Sequence, residues 1–418
     1  MAKQISQKQI EKIIEKLVSK IDQANIYFLM SIGSSIKKIR ALTPTQAQQL
    51  VQILKFGGAY EDIIRQIAEY TKMSIDDIDE IFSIYAENDL NFAEKFYKYR
   101  NIPFVPFEQN VALKRQTMAL ANIVKNEMYN FTRTNVLGYT IRDTKGNPQF
   151  YGLRETYNRV LDEALLNVGQ GKESFDSAMT RIMQDIGGSG LKTLDYKSGR
   201  SIRLDSMART HLNDGLRELH NENQKLLGEE FGADGVEISV HSNPAPDHEL
   251  VQGRIFSNEE FEKLNNGFDA KDYKGNTYTL DHDHKNGYRP ISQMNCYHYI
   301  FSVILGVSEP EYTNSQLNEI IIENENGFYL YNKKIDDYKH YTKYEGEQLQ
   351  RNLERAIRKQ KDTQILAKAS GNEELLYKSQ DKIRILTNKY KQLNEASGLP
   401  SRANRLRVTG YKRVAKKK

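Results

Sequence analysis

Apolar residues recur at helical spacing through the first hundred positions. Ile10, Ile13, Ile14, Leu17 and Ile21 fall on one face of a helix over residues 8–24, with Lys, Glu and Gln on the others. At Thr43-Pro44 a threonine can accept from an orphan backbone N–H, and a proline occupies the first helical position, where its missing N–H costs nothing. Leu50, Val51 and Leu54 continue that helix and Gly57-Gly58 stops it. Ile63, Ile64 and Ile67 mark a third helix; Ile75, Ile78 and Ile81 mark a fourth, with Ser74 placed to cap it. Residues 1–100 therefore read as a small helical domain.

The prolines of Asn101-Ile102-Pro103-Phe104-Val105-Pro106 mark a boundary, and residues 101–190 read as a helical connector. Its period breaks near Thr140 to Pro148, where Asp143-Thr144-Lys145-Gly146-Asn147-Pro148 carries turn signals for a short hairpin. Gly187-Gly188-Ser189-Gly190 predicts a flexible break. A helix over about 202–228 follows, with Leu204, Ala208, Leu212, Leu216 and Leu219 as its apolar stripe and Arg209, His211 and His220 mostly off it. Val236, Ile238 and Val240 alternate with polar residues, so His241 sits at a strand end, and Asn243-Pro244-Ala245-Pro246 is a stiff loop leading to His248. Beyond a short helix at 257–264 and turn-rich residues 265–294, an apolar run reaches Ile304. Past Tyr338 the helical period returns, with Leu349, Leu353, Ala356 and Ile357, then Ile383, Leu386, Tyr390 and Leu393, broken only at Gly371. The class predicted is α+β: a mainly helical N-terminal half, a small central sheet-containing domain at 191–337, a helical hairpin at 338–396 and a basic tail at 397–418.

Composition narrows this picture. Hydrophobic residues make up 39% of the 418 positions against 28% charged, and no apolar run is long enough to span a bilayer. With no secretory segment at the N-terminus, the chain is expected in a cytosol-like compartment. The single cysteine allows no internal disulfide, so stability rests on packing or on a metal. The net charge of +5 is uneven: residues 396–418 hold eight Lys or Arg and no acid, which leaves the rest at −3 (52 basic against 55 acidic).

Five of the eight histidines and the cysteine lie in residues 236–298. His241, His248, Cys296 and His298 have the ligand types of a tetrahedral zinc site, although their spacing matches no standard zinc module. Two other readings stay open. The residues can form a metal-free polar cluster that orients loops, or a catalytic site with His248 as general base, Asp247 or Glu249 nearby, and Cys296 or a metal-bound water as nucleophile. Asp281-His282-Asp283-His284 can ligate a divalent cation but also reads as a solvated loop. Arg209 and His211 lie near the central cleft or on a solvated helix face. The arginine-bearing helix from Glu347 to Lys361 offers either a solvated face or a partner surface. Arg402, Arg405, Arg407, Lys412, Arg413, Lys416, Lys417 and Lys418 can neutralise phosphates without reading sequence, or simply keep a tail in solution.

At His241, Asp247-His248, Gln252-Gly253, Asn295-Cys296-Tyr297-His298, and Tyr344 with Gln348, Gln350-Arg351, Glu354 and Arg358, the chain resembles the phage minor capsid protein 2 family. The likeness covers roughly residues 195–410, with departures at Val251, Tyr297 and the 243–246 loop. It implies a structural minor head protein of a tailed bacteriophage, associated with the portal vertex. The partners expected are the portal protein, the major capsid protein and packaged double-stranded DNA. The expected place is the virion, after assembly in the bacterial host cytoplasm. The alternatives are a metal-dependent hydrolase or nuclease carried in the head, using the His/Cys cluster, and a free cytosolic nucleic-acid-binding protein.

Overall fold

The computed structural model describes residues 7–413 except 144, 196–197, 281–288, 294–295, 297 and 333–335. Its N-terminal part is α1 (Gln7–Arg40), α2 (Pro44–Phe56), α3 (Ala59–Ile75) and α4 (Ile78–Arg100). α1 runs well past residue 24 because its apolar stripe continues through Phe28, Leu29, Ile32, Ile36 and Ile39, all buried. α2 starts as its sequence predicts: the Gln46 N–H donates to Thr43 Oγ1 while Gln46 Oε1 accepts from the Thr43 N–H. Ser74 does not cap the fourth helix. It lies inside α3, and Asp77 is the N-cap of α4.

α5 (Val111–Thr132) leads to the hairpin β1 (Leu137–Arg142) and β2 (Pro148–Gly152), whose turn is held by Asp143 Oδ1 accepting from the N–H groups of Lys145 and Asn147, each at 2.9 Å. α6 (Leu153–Asn167), α7 (Lys172–Ser189), β3 (Lys192–Leu194) and β4 (Ser201–Arg203) follow, and the first sheet has the order β2-β1-β3-β4. The central part comprises α8 (Leu204–Phe231), β5 (Gly235–Ile238), β6 (Ile255–Ser257), α9 (Asn258–Asn265), β7 (Ala270–Lys271), β8 (Thr277–Tyr278) and β9 (Ile300–Val303). β5 is the middle strand of β6-β5-β9, antiparallel on both sides. The chain closes with α10 (Asn314–Asn326), the hairpin β10 (Phe328–Asn332) and β11 (Asp337–Tyr341), α11 (Lys343–Ser370) and α12 (Glu373–Ser397). The α+β class holds, with small sheets set in a mostly helical body.

Three further expectations change. The glycines at 187 and 188 are not a break, because α7 runs through them and a Cβ on Gly187 would lie 2.6 Å from Thr363 Cα. The missing side chain lets α7 and α11 touch backbone to backbone. α11 is not a solvated helix, since Gln350, Glu354, Ile357, Arg358 and Asp362 are all buried. The basic tail is not separate from the body along its first half. Leu399 and Val408 are buried, the Arg402 N–H donates to Tyr390 Oη at 2.9 Å, and Lys361 Nζ donates to the Leu406 carbonyl. One cluster of buried apolar side chains accordingly runs from Ile14 to Val408, and a smaller one, including Ile238, Val251 and Phe256, lies under the central sheet.

Where α1, α8 and α11 meet, the core is charged. Arg203 bridges Asp205 (3.0 Å) and Asp362 (3.2 Å), Arg358 pairs with Asp205, and Asp22 of α1 adds a third carboxyl. Burial pushes Asp22 up to about 8, and the neighbouring Asp205 and Asp362 add to the rise. For Asp205, burial works the same way but Arg203, Arg358 and Arg209 outweigh it and hold the carboxyl below its usual range.

Candidate metal centre

The antiparallel register of β5 and β9 builds the site. Ile238 pairs with Ile300, and beyond the strands the Ser239 N–H donates to the Tyr299 carbonyl at 2.9 Å while the Tyr299 N–H donates to Ser239 Oγ at 2.9 Å. The end of β5 therefore lies against the residues before β9, which brings His241 beside His298 with ring centroids 4.6 Å apart. On the other edge the Gly253 N–H donates to the Ile238 carbonyl, so the proline loop returns and delivers His248 and Gln252 to the same place. Gly253 has φ +67, and a Cβ there would meet Leu317 at 2.6 Å and Val240 at 2.8 Å. Only glycine fits that return.

Helix α8 braces β9 from behind. His220, 2% exposed, lies between Asp89 Oδ1 and the Ile300 carbonyl, each 2.7 Å away. It sits on the buried face rather than off the stripe. The Ser302 N–H donates to Gln224 Oε1 at 2.9 Å, and Arg217 donates to the Cys296 carbonyl at 3.0 Å. Cys296 is thus pinned by its own backbone.

Cys296 Sγ lies 3.5 Å from His248 Nδ1 and 3.5 Å from His298 Nδ1, and the three donor atoms all fall within 4.8 Å of one another. His241 is outside that converging set. Burial lowers the pKa of His248, lowers that of His298 well below its ordinary value, and raises that of Cys296. Asp247 does not orient His248 as a catalytic dyad would. Its carboxylate accepts two hydrogen bonds from Arg289, at 2.7 and 2.9 Å, and lies 3.7 Å from His248 Nε2, which instead faces the Arg289 carbonyl at 2.7 Å.

His241, His248 and His298 line a cleft of about 680 Å³ that α11 and the start of the basic segment close on the far side. Arg209, Arg289, Arg351, Arg402 and Arg405 stand around it against one carboxylate among the described lining residues, Glu347. Carboxylates tie several of them down: Arg209 pairs with Glu15, Arg289 with Asp247, and Arg402 with Glu347 at 3.2 Å. Arg402 and Arg405 therefore belong to the cleft, while Arg407, Lys412 and Arg413 are exposed. His211 turns away, packing at a tilt against Phe131 and contacting Glu127 at 3.0 Å. Asp281 to His284 and Lys416 to Lys418 lie outside the described residues. Arg217 and Arg289 carry no periodic or motif signal that names them as site residues; Gln252 stands in the Gln252-Gly253 motif, but its acceptor role is visible only in the fold.

A family model for phage minor capsid protein 2 matches residues 5–394. The chain belongs to the phage minor capsid protein 2 family. It is a structural component of the phage particle, interacting with other virion components. No curated protein and no solved structure matches the chain. Among the described residues, no helix is long and apolar enough to cross a membrane. The positions that carry the minor capsid protein 2 resemblance are far apart in sequence, yet His241, His248, His298, Tyr344, Gln348 and Arg351 all line the one cleft. Asn295 and Tyr297 lie outside the described residues.

Proposed function

We propose that this minor capsid protein docks at the portal vertex, between the portal and major capsid proteins, and touches packaged double-stranded DNA with its basic C-terminal segment, after assembly in the host cytoplasm. The observation that carries the reading is the family match over residues 5–394, because it makes the whole chain a particle component. Two surfaces support the finer assignment. On the β10–β11 hairpin, Tyr329 pairs with His340 and Tyr331 with Tyr338 across the strands, leaving three tyrosines 64%, 50% and 65% exposed. Such an aromatic platform suits a protein partner, where tyrosine supplies area and a polar handle at low entropic cost. At the other surface, Arg407, Lys412 and Arg413 are exposed on a segment without acids, which suits a phosphate backbone.

Quantitative mass spectrometry of purified, nuclease-treated particles is expected to find the protein at a fixed ratio below that of the portal subunit. Its absence from particles while abundant in infected cells would sink the reading. For DNA contact, the cut belongs after Tyr411 rather than after Pro400, because Val408 is part of the core. That truncation removes Lys412, Arg413, Lys416, Lys417 and Lys418. It is expected to lower the slope of log affinity against log salt by up to about 4.5, at roughly 0.9 per phosphate contact. An unchanged slope rules the segment out.

A further inference from the structure

Among the described residues, the hydrogen bonds around Cys296, whose Sγ also accepts from the His298 N–H at 3.4 Å, leave one buried histidine nitrogen with no proton to accept. His248 Nε2 lies 2.7 Å from the Arg289 carbonyl, an atom that only accepts, so the ring hydrogen is on Nε2 and Nδ1 is a bare lone pair. His298 reaches the same state by another route. The His241 N–H donates to Gln252 Oε1 at 2.9 Å, which fixes that atom as oxygen, so His298 Nε2, at 3.4 Å from it, carries the hydrogen. Both Nδ1 atoms then face Cys296 Sγ at 3.5 Å. A thiol has a single hydrogen and can satisfy one of them. The other is left facing sulfur lone pairs in a site where His248, Cys296 and His298 are 1%, 2% and 3% exposed, an arrangement buried acceptors rarely tolerate.

A metal ion resolves the conflict, and the two N···S distances suit one. With Zn–S near 2.3 Å and Zn–N near 2.0–2.1 Å, the N···S edge of a tetrahedron is about 3.6 Å. We propose that His248 Nδ1, Cys296 Sγ and His298 Nδ1 hold a zinc ion whose fourth position opens on the arginine-lined cleft. One thiolate with two imidazoles selects zinc over magnesium or calcium, which prefer oxygen. The Arg289 carbonyl and the Gln252 amide orient the two rings, as outer partners do in metal sites. Loading the ion releases the thiol proton, and the thiolate charge lies among Arg217 and Arg289. Because His248 and His298 both line the cleft while His241 stays outside the converging donors, the fourth position goes to an oxygen donor from the cleft. The ion would tie the segment leading into β9 to the loop between β5 and β6. This inference is independent of portal docking and DNA contact, since the ion binds the isolated chain.

The test is cobalt substitution of the purified full-length chain after chelation. Cobalt(II) is expected to bind at roughly one ion per chain, with a thiolate charge-transfer band in the near ultraviolet and visible bands of a four-coordinate ion, both erased by zinc. Cys296→Ser should remove the charge-transfer band, His298→Ala should weaken binding more than roughly tenfold, and His241→Ala should leave both intact. A wild-type spectrum without the thiolate band overturns the site whether or not the variants fold. The same band persisting in Cys296→Ser does so too. Loss of cobalt from a folded His241→Ala variant overturns the open fourth position.

Discussion

Arg358→Ala is expected to cost about 3–5 kcal/mol of unfolding free energy, the range for removing one partner of a buried ion pair. Arg358 is 9% exposed and pairs with Asp205, itself 3% exposed, while Arg203 is shared between Asp205 and Asp362. Removing the Arg358 guanidinium leaves the buried carboxylates of Asp205 and Asp362, with the half-buried Asp22 carboxyl beside them, around Arg203 alone. The loss is large because it strands charge, not because the pair itself contributes that much. The double variant Arg358→Met with Asp205→Asn removes one charge of each sign and is expected to recover more than half of the deficit. Urea unfolding followed by circular dichroism measures both. A single-variant loss under about 1 kcal/mol would return this helix to the class of solvated surfaces.

That same helix shows where the sequence stops being legible. Glu354 and Arg358 stand at i, i+4 spacing, which on an isolated helix means a solvated pair worth a few tenths of a kcal/mol. In the fold they turn apart: Arg358 goes to Asp205, and Glu354 accepts from Tyr390 Oη at 3.3 Å. Nothing local distinguishes the two cases, because the deciding partner is more than 150 positions away. His220 failed for the same reason, since Asp89 and Ile300 turn a polar position into a core one. Elements with local determinants were readable: the Thr43 cap, the turn at Asp143, the C-cap glycine at 371 in the left-handed region. The β10–β11 hairpin was not, because its aromatic residues occupy both faces and no alternation survives. The histidine cluster was legible as a concentration of donor types along 236–298. Which three donors converge depends on the β5–β9 register and on the loop return at Gly253, and neither can be read from spacing.

The second large effect is a gain. Asp22→Asn is expected to stabilise the protein by about 1–3 kcal/mol at pH 8–9 and to leave it unchanged near pH 4. Three carboxyls, Asp22, Asp205 and Asp362, face the two guanidiniums of Arg203 and Arg358, so the group reaches neutrality only with one proton among the acids. Burial and the two neighbouring carboxylates put that proton on Asp22, with its pKa raised from 3.8 to about 8. Since the folded value exceeds the unfolded one, the folded chain binds more protons between those pH values. The stability from protonated Asp22 is complete below about 4 and is lost as pH rises to about 8. Asparagine keeps the neutral form at every pH and flattens that slope. The gain falls short of what a sealed carboxyl would give, because Asp22 is only half-buried and lines a second cavity of about 690 Å³ through which water approaches. Asp205 and Asp362 titrate in both proteins, so the difference between the two stability–pH curves isolates Asp22. Parallel curves from pH 4 to 9 would mean that the proton resides elsewhere, and the leading alternative is Asp362, whose pKa burial also raises.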